Sequence, residues 1–456
     1  MRRLLIVPAL FLLLLGAPVF ATESTQAPPT TTTDVPVAGG EAVSAGWKSA
    51  ETPVPGAEVL GVTWDGDPAA VFAVEVRSGD GSWQPAESLG ADDTGADVGT
   101  ADAAQAATTQ GDSNATEPIW APDTTAVRVT LQSGEASGVT IAAVDSNPAA
   151  APSGAAGASS GILPVLGGPD RYVFALVLLA AAVLLGACAF GFSPWRRNRS
   201  RRIMLLVALG SLVLVACAPA AKPAPPPAPA APPAASPPGN GAAQPAITSR
   251  AAWGARSFSC AGGPVSAPSL KFAVVHHTAG SNTYNPGDTP SILRGIQTYH
   301  MDTLGYCDIA YNFLIDKYGQ IFEGRAGGIT NPIIGGHAGG FNTASVGVSL
   351  VGDYTGGTPP AEEWNSLVSL LRWRLSVGGV NPAAGFSTTV ASSPCNCMRY
   401  PVGSTPWFAS AIVGHGDVDF TSCPGSAFAP QLQALRDQVQ SGIVSPPTPA
   451  TTTASV

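Results

Sequence analysis

Phe272-Ala-Val-Val-His276 is an apolar run that closes on a histidine, and Ala411-Ile-Val-Gly-His415 repeats the arrangement further along the chain. Each reads as a short buried strand with an imidazole at its end. Cys423 follows eight residues after the second histidine, in Thr421-Ser-Cys-Pro-Gly425. Two histidines at strand ends and a cysteine in the next loop are the donor set of a three-ligand zinc site. Such a site leaves the fourth tetrahedral position open for water. On spacing alone, packed core histidines and a disulfide cysteine are the simpler account.

The surrounding sequence predicts an α/β domain over 244–442, with a central mixed β-sheet flanked by helices. Strands are expected near 272–276, 311–317, 320–324, 345–351 and 411–415, and helices near 289–304, 361–376 and 427–440. Pro290 opens the first of these helices, Thr358-Pro359 precedes the second, and Gly378 stops it. All five histidines of the chain lie between 276 and 415. On a strand His277 points to the face opposite His276, which makes it a packing residue. His300 falls on a helix and reads as structural, whereas His337, in a Gly-rich loop, is a candidate for the cleft wall. Asp417 either orients a metal-ligating histidine or caps a turn.

Towards the N-terminus the chain changes character. Residues 1–21 have a charged start, an apolar core and a small-residue end, the pattern of a secretory signal peptide. Residues 40–146 read as a separate, extracytoplasmic all-β domain, with partial alternation in Val71–Arg77 and Ala126–Leu131. Its Trp47, Trp64, Trp83 and Trp120 read as core rather than as a carbohydrate platform. The polar, acidic stretch from Asp92 to Asn114 reads as a mobile loop.

A linker (147–169) leads to an expected transmembrane helix (170–192), a basic loop (193–202) and a second apolar segment (203–218) that ends in the lipobox-like Leu214-Val-Ala-Cys217. The five arginines of the loop place it in the cytoplasm by the positive-inside rule. The expected location is therefore the cell membrane, with both folded domains extracytoplasmic and the membrane as a partner. A Pro/Ala-rich linker (219–243) precedes the α/β domain, and 443–456 reads as a disordered tail.

Charge narrows the partners. The chain carries a net charge of −9. Residues 41–145 hold 17 acidic and three basic side chains, and 244–442 hold 11 and 10. Neither region has a basic stripe, so nucleic acid is excluded as a partner.

The α/β region resembles the peptidoglycan recognition protein family, which is related to the bacteriophage lysozyme-amidases. The resemblance rests on Ile247-Thr-Ser-Arg-Ala-Ala-Trp-Gly-Ala255, Val275-His-His-Thr-Ala279 and Gly305-Tyr-Cys-Asp-Ile-Ala-Tyr-Asn-Phe313. It continues through Ile321-Phe-Glu-Gly-Arg325, Gly336-His-Ala-Gly-Gly-Phe-Asn342 and Ser345-Val-Gly-Val-Ser-Leu-Val-Gly352. It ends on Gly414-His-Gly-Asp-Val418 and Cys423-Pro-Gly425.

The resemblance implies a zinc-dependent N-acetylmuramoyl-L-alanine amidase that hydrolyses the lactyl–L-alanine amide of peptidoglycan. His276, His415 and Cys423 are then the zinc ligands, and Tyr311 and Thr421 the catalytic residues. Members that lack the cysteine only bind, so a non-catalytic peptidoglycan-binding or sensing protein is the alternative. A third account makes Cys423 a nucleophile paired with His415.

Gly305 and Tyr306 occupy the positions that sort the third residue of muropeptide stems in the resembling family. Gly-Trp goes there with diaminopimelate and Asn-Phe with lysine. With Gly-Tyr, this chain is expected to favour diaminopimelate. Arg325 is the candidate for its extra carboxylate, or else a structural ion pair, and His337 completes the expected substrate-binding set. The resemblance also implies a Cys260–Cys307 disulfide and leaves Cys395 and Cys397 open, since pairing them closes a very tight ring.

Overall fold

A computed structural model describes residues 30–146 and 242–441, apart from positions 38, 44–45, 112 and 396. All of these belong to one compact unit.

The N-terminal part is a sheet of nine strands, β1 (Thr31–Pro36), β2 (Gly40–Val43), β3 (Gly46–Ser49), β4 (Thr52–Gly66), β5 (Val71–Ser78), β6 (Trp83–Leu89), β7 (Asn114–Ala115), β8 (Ile119–Ser133) and β9 (Ala136–Asp145). The pairing is antiparallel in the order β1-β9-β4-β8-β3-β2, with β5 and β6 joined through β8 and β7 on β4. Burial alternates along the start of β5, as the sequence pattern requires, with Phe72 and Val74 inward. Trp64 and Trp120 are buried. Trp83 stays half-exposed under the guanidinium of Arg128, 3.9 Å from the ring centroid.

The stretch read as a mobile loop is instead ordered around helix α1 (Ala101–Thr109). Thr100 caps it by accepting from the Ala103 amide, and Asp102 and Ala106 are buried.

The C-terminal part contains β10 (Ile247–Thr248), α2 (Arg250–Trp253), β11 (Phe272–His277), α3 (Thr289–Thr298), β12 (Phe313–Ile315), β13 (Ile321–Glu323), β14 (Ser345–Leu350), α4 (Ala361–Val377), β15 (Phe386–Ser387), β16 (Trp407–Phe408), β17 (Ile412–Gly414), α5 (His415–Val418) and α6 (Leu432–Ser441). A mixed sheet runs β10-β13-β12-β14-β11-β17, antiparallel only between β12 and β13. Every residue of β11 and β14 is buried, as expected for central parallel strands covered on both faces. On one face α4 and α6 bring Trp364, Leu367, Leu371 and Leu435 onto Val275, Phe313 and Val348. On the other, α3 lays Ile292 and Ile296 against Leu314 and Phe322.

That second face continues into the N-terminal sheet, and two of the sequence expectations fail there. Val59, Trp120 and Val144 belong to the same buried cluster as Ile292, Tyr299 and Tyr311. Gly295 in α3 leaves room for Val59, which a β-carbon at that position would strike. The N-terminal region is therefore neither separate nor all-β. It carries a helix and shares a core with the α/β domain.

The expected membrane segments and the cell-membrane location are not retained either. No helix among the described residues is long and apolar enough to cross a membrane. The longest of them, α4, has 17 residues and carries Glu362, Glu363, Arg372 and Arg374. The expected segments 170–192 and 203–218, the signal-like residues 1–21, the linkers and basic loop between 147 and 241, and the tail 443–456 lie outside the described residues.

Candidate metal centre and its cleft

Parallel pairing of β11 with β17 sets Val275 beside Gly414. His276 at the end of one strand and His415, the first residue of α5, are thereby brought together. The loop after α5 returns Cys423 beneath them, with Sγ 3.8 Å from His276 Nδ1 and 3.4 Å from the amide nitrogen of His277. One donor atom from each of His276, His415 and Cys423 lies within 4.8 Å of the others, and all three residues are buried.

Each imidazole is held through the nitrogen that faces away from this cluster. His415 Nε2 is 3.1 Å from Asp419 Oδ2, with both side chains fully buried. His276 Nε2 is 3.1 Å from His337 Nδ1. His337 Nε2 lies 3.4 Å from the Ser345 hydroxyl. Burial, reinforced by His415 and Arg325, pushes His337 down to about 3, so it is neutral and shares one proton with His276 Nε2 across this contact. Burial and the neighbouring imidazoles push His276 well below its usual range. Burial opposes charge on His415 too, but the Asp93 and Asp419 carboxylates raise it. The arrangement leaves Nδ1 of both rings facing the cluster. It is the pattern of metal-ligating histidines fixed by an outer partner.

His415 Nδ1 is buried and makes no hydrogen bond, and neither does Asp93 Oδ1, which faces it at 3.5 Å. Two nitrogen or oxygen ligands of tetrahedral zinc stand about 3.3 Å apart, and sulfur and nitrogen about 3.5 Å, from the usual bond lengths. The 3.8 Å between Cys423 Sγ and His276 Nδ1 lies close to the second of these edges, and the 3.5 Å between His415 Nδ1 and Asp93 Oδ1 lies close to the first. The orphaned imidazole nitrogen and the donor set fit a zinc ion.

The other expected site residues surround this centre. The Tyr311 ring lies 5.3 Å from that of His276, and burial keeps its phenol protonated far above the usual range. The Thr421 hydroxyl accepts from the Cys423 amide at 2.9 Å and also meets Asp93. His337 is fully buried, so it supports His276 rather than lining an open wall. Tyr306 is buried against Thr94, hydroxyl to hydroxyl 3.3 Å. Gly305 packs under α1. Arg325 is buried in an ion pair with Asp102, and its Nη1 donates to the Ile309 carbonyl at 3.3 Å. The two cysteine pairs are bonded, Cys260 to Cys307 and Cys395 to Cys397.

Three side chains escaped the sequence reading. Asp419, one turn after His415, holds that ring, whereas Asp417 caps the Gly414 amide and pairs with Arg436. The i,i+4 spacing was the available signal. Asp93 and Asp102 come from the N-terminal region, where nothing local marks them. His277 and His300 behave as packing residues. His277 accepts from the Tyr354 amide at 3.1 Å and His300 from that of Ala310 at 3.0 Å.

Known proteins are similar to part of the chain. An N-acetylmuramoyl-L-alanine amidase family model matches residues 266–426. Peptidoglycan-recognition protein SC2 of Drosophila simulans is 32% identical over 180 residues, which is 40% of this chain and 80% of that protein. Peptidoglycan recognition protein 1 of Rattus norvegicus is 35% identical over 136 residues, 29% of this chain and 69% of that protein. The solved structure of wild-type Drosophila PGRP-LB is 25% identical and covers 41% of this chain and 93% of its own, with a TM-score of 0.33. The family match and the motifs that build the centre coincide, and the chain belongs to the peptidoglycan recognition protein family.

Proposed function

We propose that the chain is a zinc-dependent N-acetylmuramoyl-L-alanine amidase acting on peptidoglycan. The observation that carries this reading is the buried set of His276, His415 and Cys423, with a buried His415 Nδ1 that makes no hydrogen bond. These three residues would hold zinc. When bound, zinc supplies Lewis acidity and a water acidified toward neutral pH. Family membership, through relatives named for peptidoglycan recognition, supports the substrate class.

The chain's own residues then divide the work. Asp419 and His337 fix the tautomer and tilt of the two imidazoles. Tyr311, protonated and beside His276, donates a hydrogen bond to the amide carbonyl oxygen as negative charge builds on it. Thr421 orients the Cys423 loop through the amide it accepts from. Gly305, Tyr306 and Arg325 contact the peptide stem. The carboxylate of Asp102 that Arg325 already grips supports a stem bearing a free carboxylate, such as diaminopimelate.

The test is hydrolysis by the full chain. Mass spectrometry of muropeptides is expected to find stems with a free L-alanine amine when zinc is present, and none with a chelator. Intact muropeptides that still bind the chain would favour recognition without cleavage. Cleavage unaffected by the chelator would favour Cys423 as a nucleophile.

A further inference from the structure

The N-terminal region reaches into the cleft at three places. The segment 92–98 lies along the Gly336–Asn342 loop and meets it in one parallel bridge, Gly95 beside His337. There the Gly95 amide donates to the Gly336 carbonyl at 3.1 Å, the Asn342 side chain donates to the Gly95 carbonyl at 2.5 Å, and the Gly340 amide donates to Asp97 at 2.8 Å. One end of the segment puts Asp93 at the metal centre. Helix α1 follows and covers the expected stem side. Asp102 pairs with Arg325 and accepts from the Cys307 amide at 2.9 Å, and Gln105 donates to the Tyr306 carbonyl at 3.1 Å. A β-carbon on Gly305 would stand 2.6 Å from Thr109 and 2.8 Å from Ala106. The helix has therefore settled on a surface that a glycine keeps flat.

We infer that Asp93 is the fourth ligand of the metal, and that the segment 92–109 occupies the substrate cleft as an internal stand-in for a peptide stem. The inference rests on the zinc-site reading above. Asp93 Oδ1 is buried, makes no hydrogen bond, and faces the equally unpartnered His415 Nδ1 at the separation of two ligands on one ion. Glu117 and Thr421 hydrogen-bond the same carboxylate, and Oδ1 is left without a partner. Four protein ligands make a closed site, whereas a hydrolytic site needs the fourth position free. The remaining contacts reproduce what a stem would offer. A backbone segment hydrogen-bonds a Gly-rich loop, and a carboxylate sits on Arg325. Substrate can reach the centre only when this segment withdraws.

The experiment uses the full chain as wild type and as Asp93→Ala, with circular dichroism to check the fold and Asp93→Asn in reserve should the alanine variant not fold. Zinc affinity is measured by chelator competition. The cobalt(II)-loaded chains are titrated with azide and followed in the visible spectrum. The expected result is a loss of about tenfold or more in zinc affinity for the variant. Azide should perturb the cobalt spectrum of the variant at concentrations that leave wild type unchanged.

In a second arm, calorimetry of a muramoyl-peptide on the zinc-free chains should show Asp102→Asn binding about tenfold more tightly than wild type, since it removes the competitor for Arg325. Equal zinc affinity and equal azide response overturn Asp93 as a ligand, and equal peptide binding overturns the stand-in. Failure of both chains to bind zinc overturns the metal-site reading and this inference with it. Zinc held equally by both overturns the inference alone.

Discussion

Replacing Asp419 with alanine tests how the centre is built without touching a ligand. Its Oδ2 is 3.1 Å from His415 Nε2, and both side chains are fully buried. A hydrogen bond to an ionised group contributes about 1.5–3 kcal/mol, and both partners here are fully buried. If that energy holds the imidazole in its metal-facing orientation, its loss corresponds to roughly 10- to 100-fold in zinc affinity, the range seen when an outer partner of a ligating histidine is removed. The assay is chelator competition on the full chain. Asp417→Ala is the matched control, because Asp417 caps the Gly414 amide at 2.9 Å and pairs with Arg436 at the surface. It should cost about 1 kcal/mol of stability as a lost cap and leave zinc affinity unchanged. Equal zinc affinity for Asp419→Ala and wild type, or a larger loss for Asp417→Ala, would refute the reasoning.

Other consequences follow from the packing. Burial pushes the Asp97 carboxyl up to about 6, where it accepts from the Gly340 amide and Asn342. Its folded value lies above the unfolded one, so its contribution to stability is full below about pH 4 and is lost as pH rises through about 6. At about 1.4 kcal/mol per pH unit that is about 3 kcal/mol. Urea midpoints for wild type should decline relative to Asp97→Asn over that window, and parallel curves would contradict it. Trp364→Ala empties a fully buried position against Phe428 and should cost about 3–5 kcal/mol in denaturant unfolding. Loss of the Cys260–Cys307 bond through Cys307→Ser opens a loop with a sequence separation of 47 and should cost about 2–4 kcal/mol by the same measurement.

The α/β domain was legible because its signals are local. The apolar run 272–276 became β11 (Phe272–His277), the run 345–351 became β14, and Gly378 does cap α4. The histidines stood at strand ends that a sheet must bring together, so His276, His415 and Cys423 lie side by side where the strands converge. Boundaries slipped where tertiary packing decides. His415 opens α5 rather than closing a strand, and the helix expected to 304 ends as a π turn over Tyr299–Thr303. The N-terminal region was misread for a different reason. Its helix α1 is short and Ala-rich with little apolar pattern, and what orders it is Arg325, Tyr306 and the Cys307 amide, about two hundred residues away. A stretch whose partners are that distant looks polar and mobile by composition. Asp93 and Asp102 were hidden by the same separation.

Cleavage of muropeptides by the Asp93→Ala chain, with and without a second change of Cys423→Ser, bears most directly on the central claim. Mass spectrometry is expected to find released stems with free L-alanine from the single variant, faster than from wild type. The double variant should release none. Intact muropeptides from wild type and Asp93→Ala alike, in chains that hold zinc, would contradict the account.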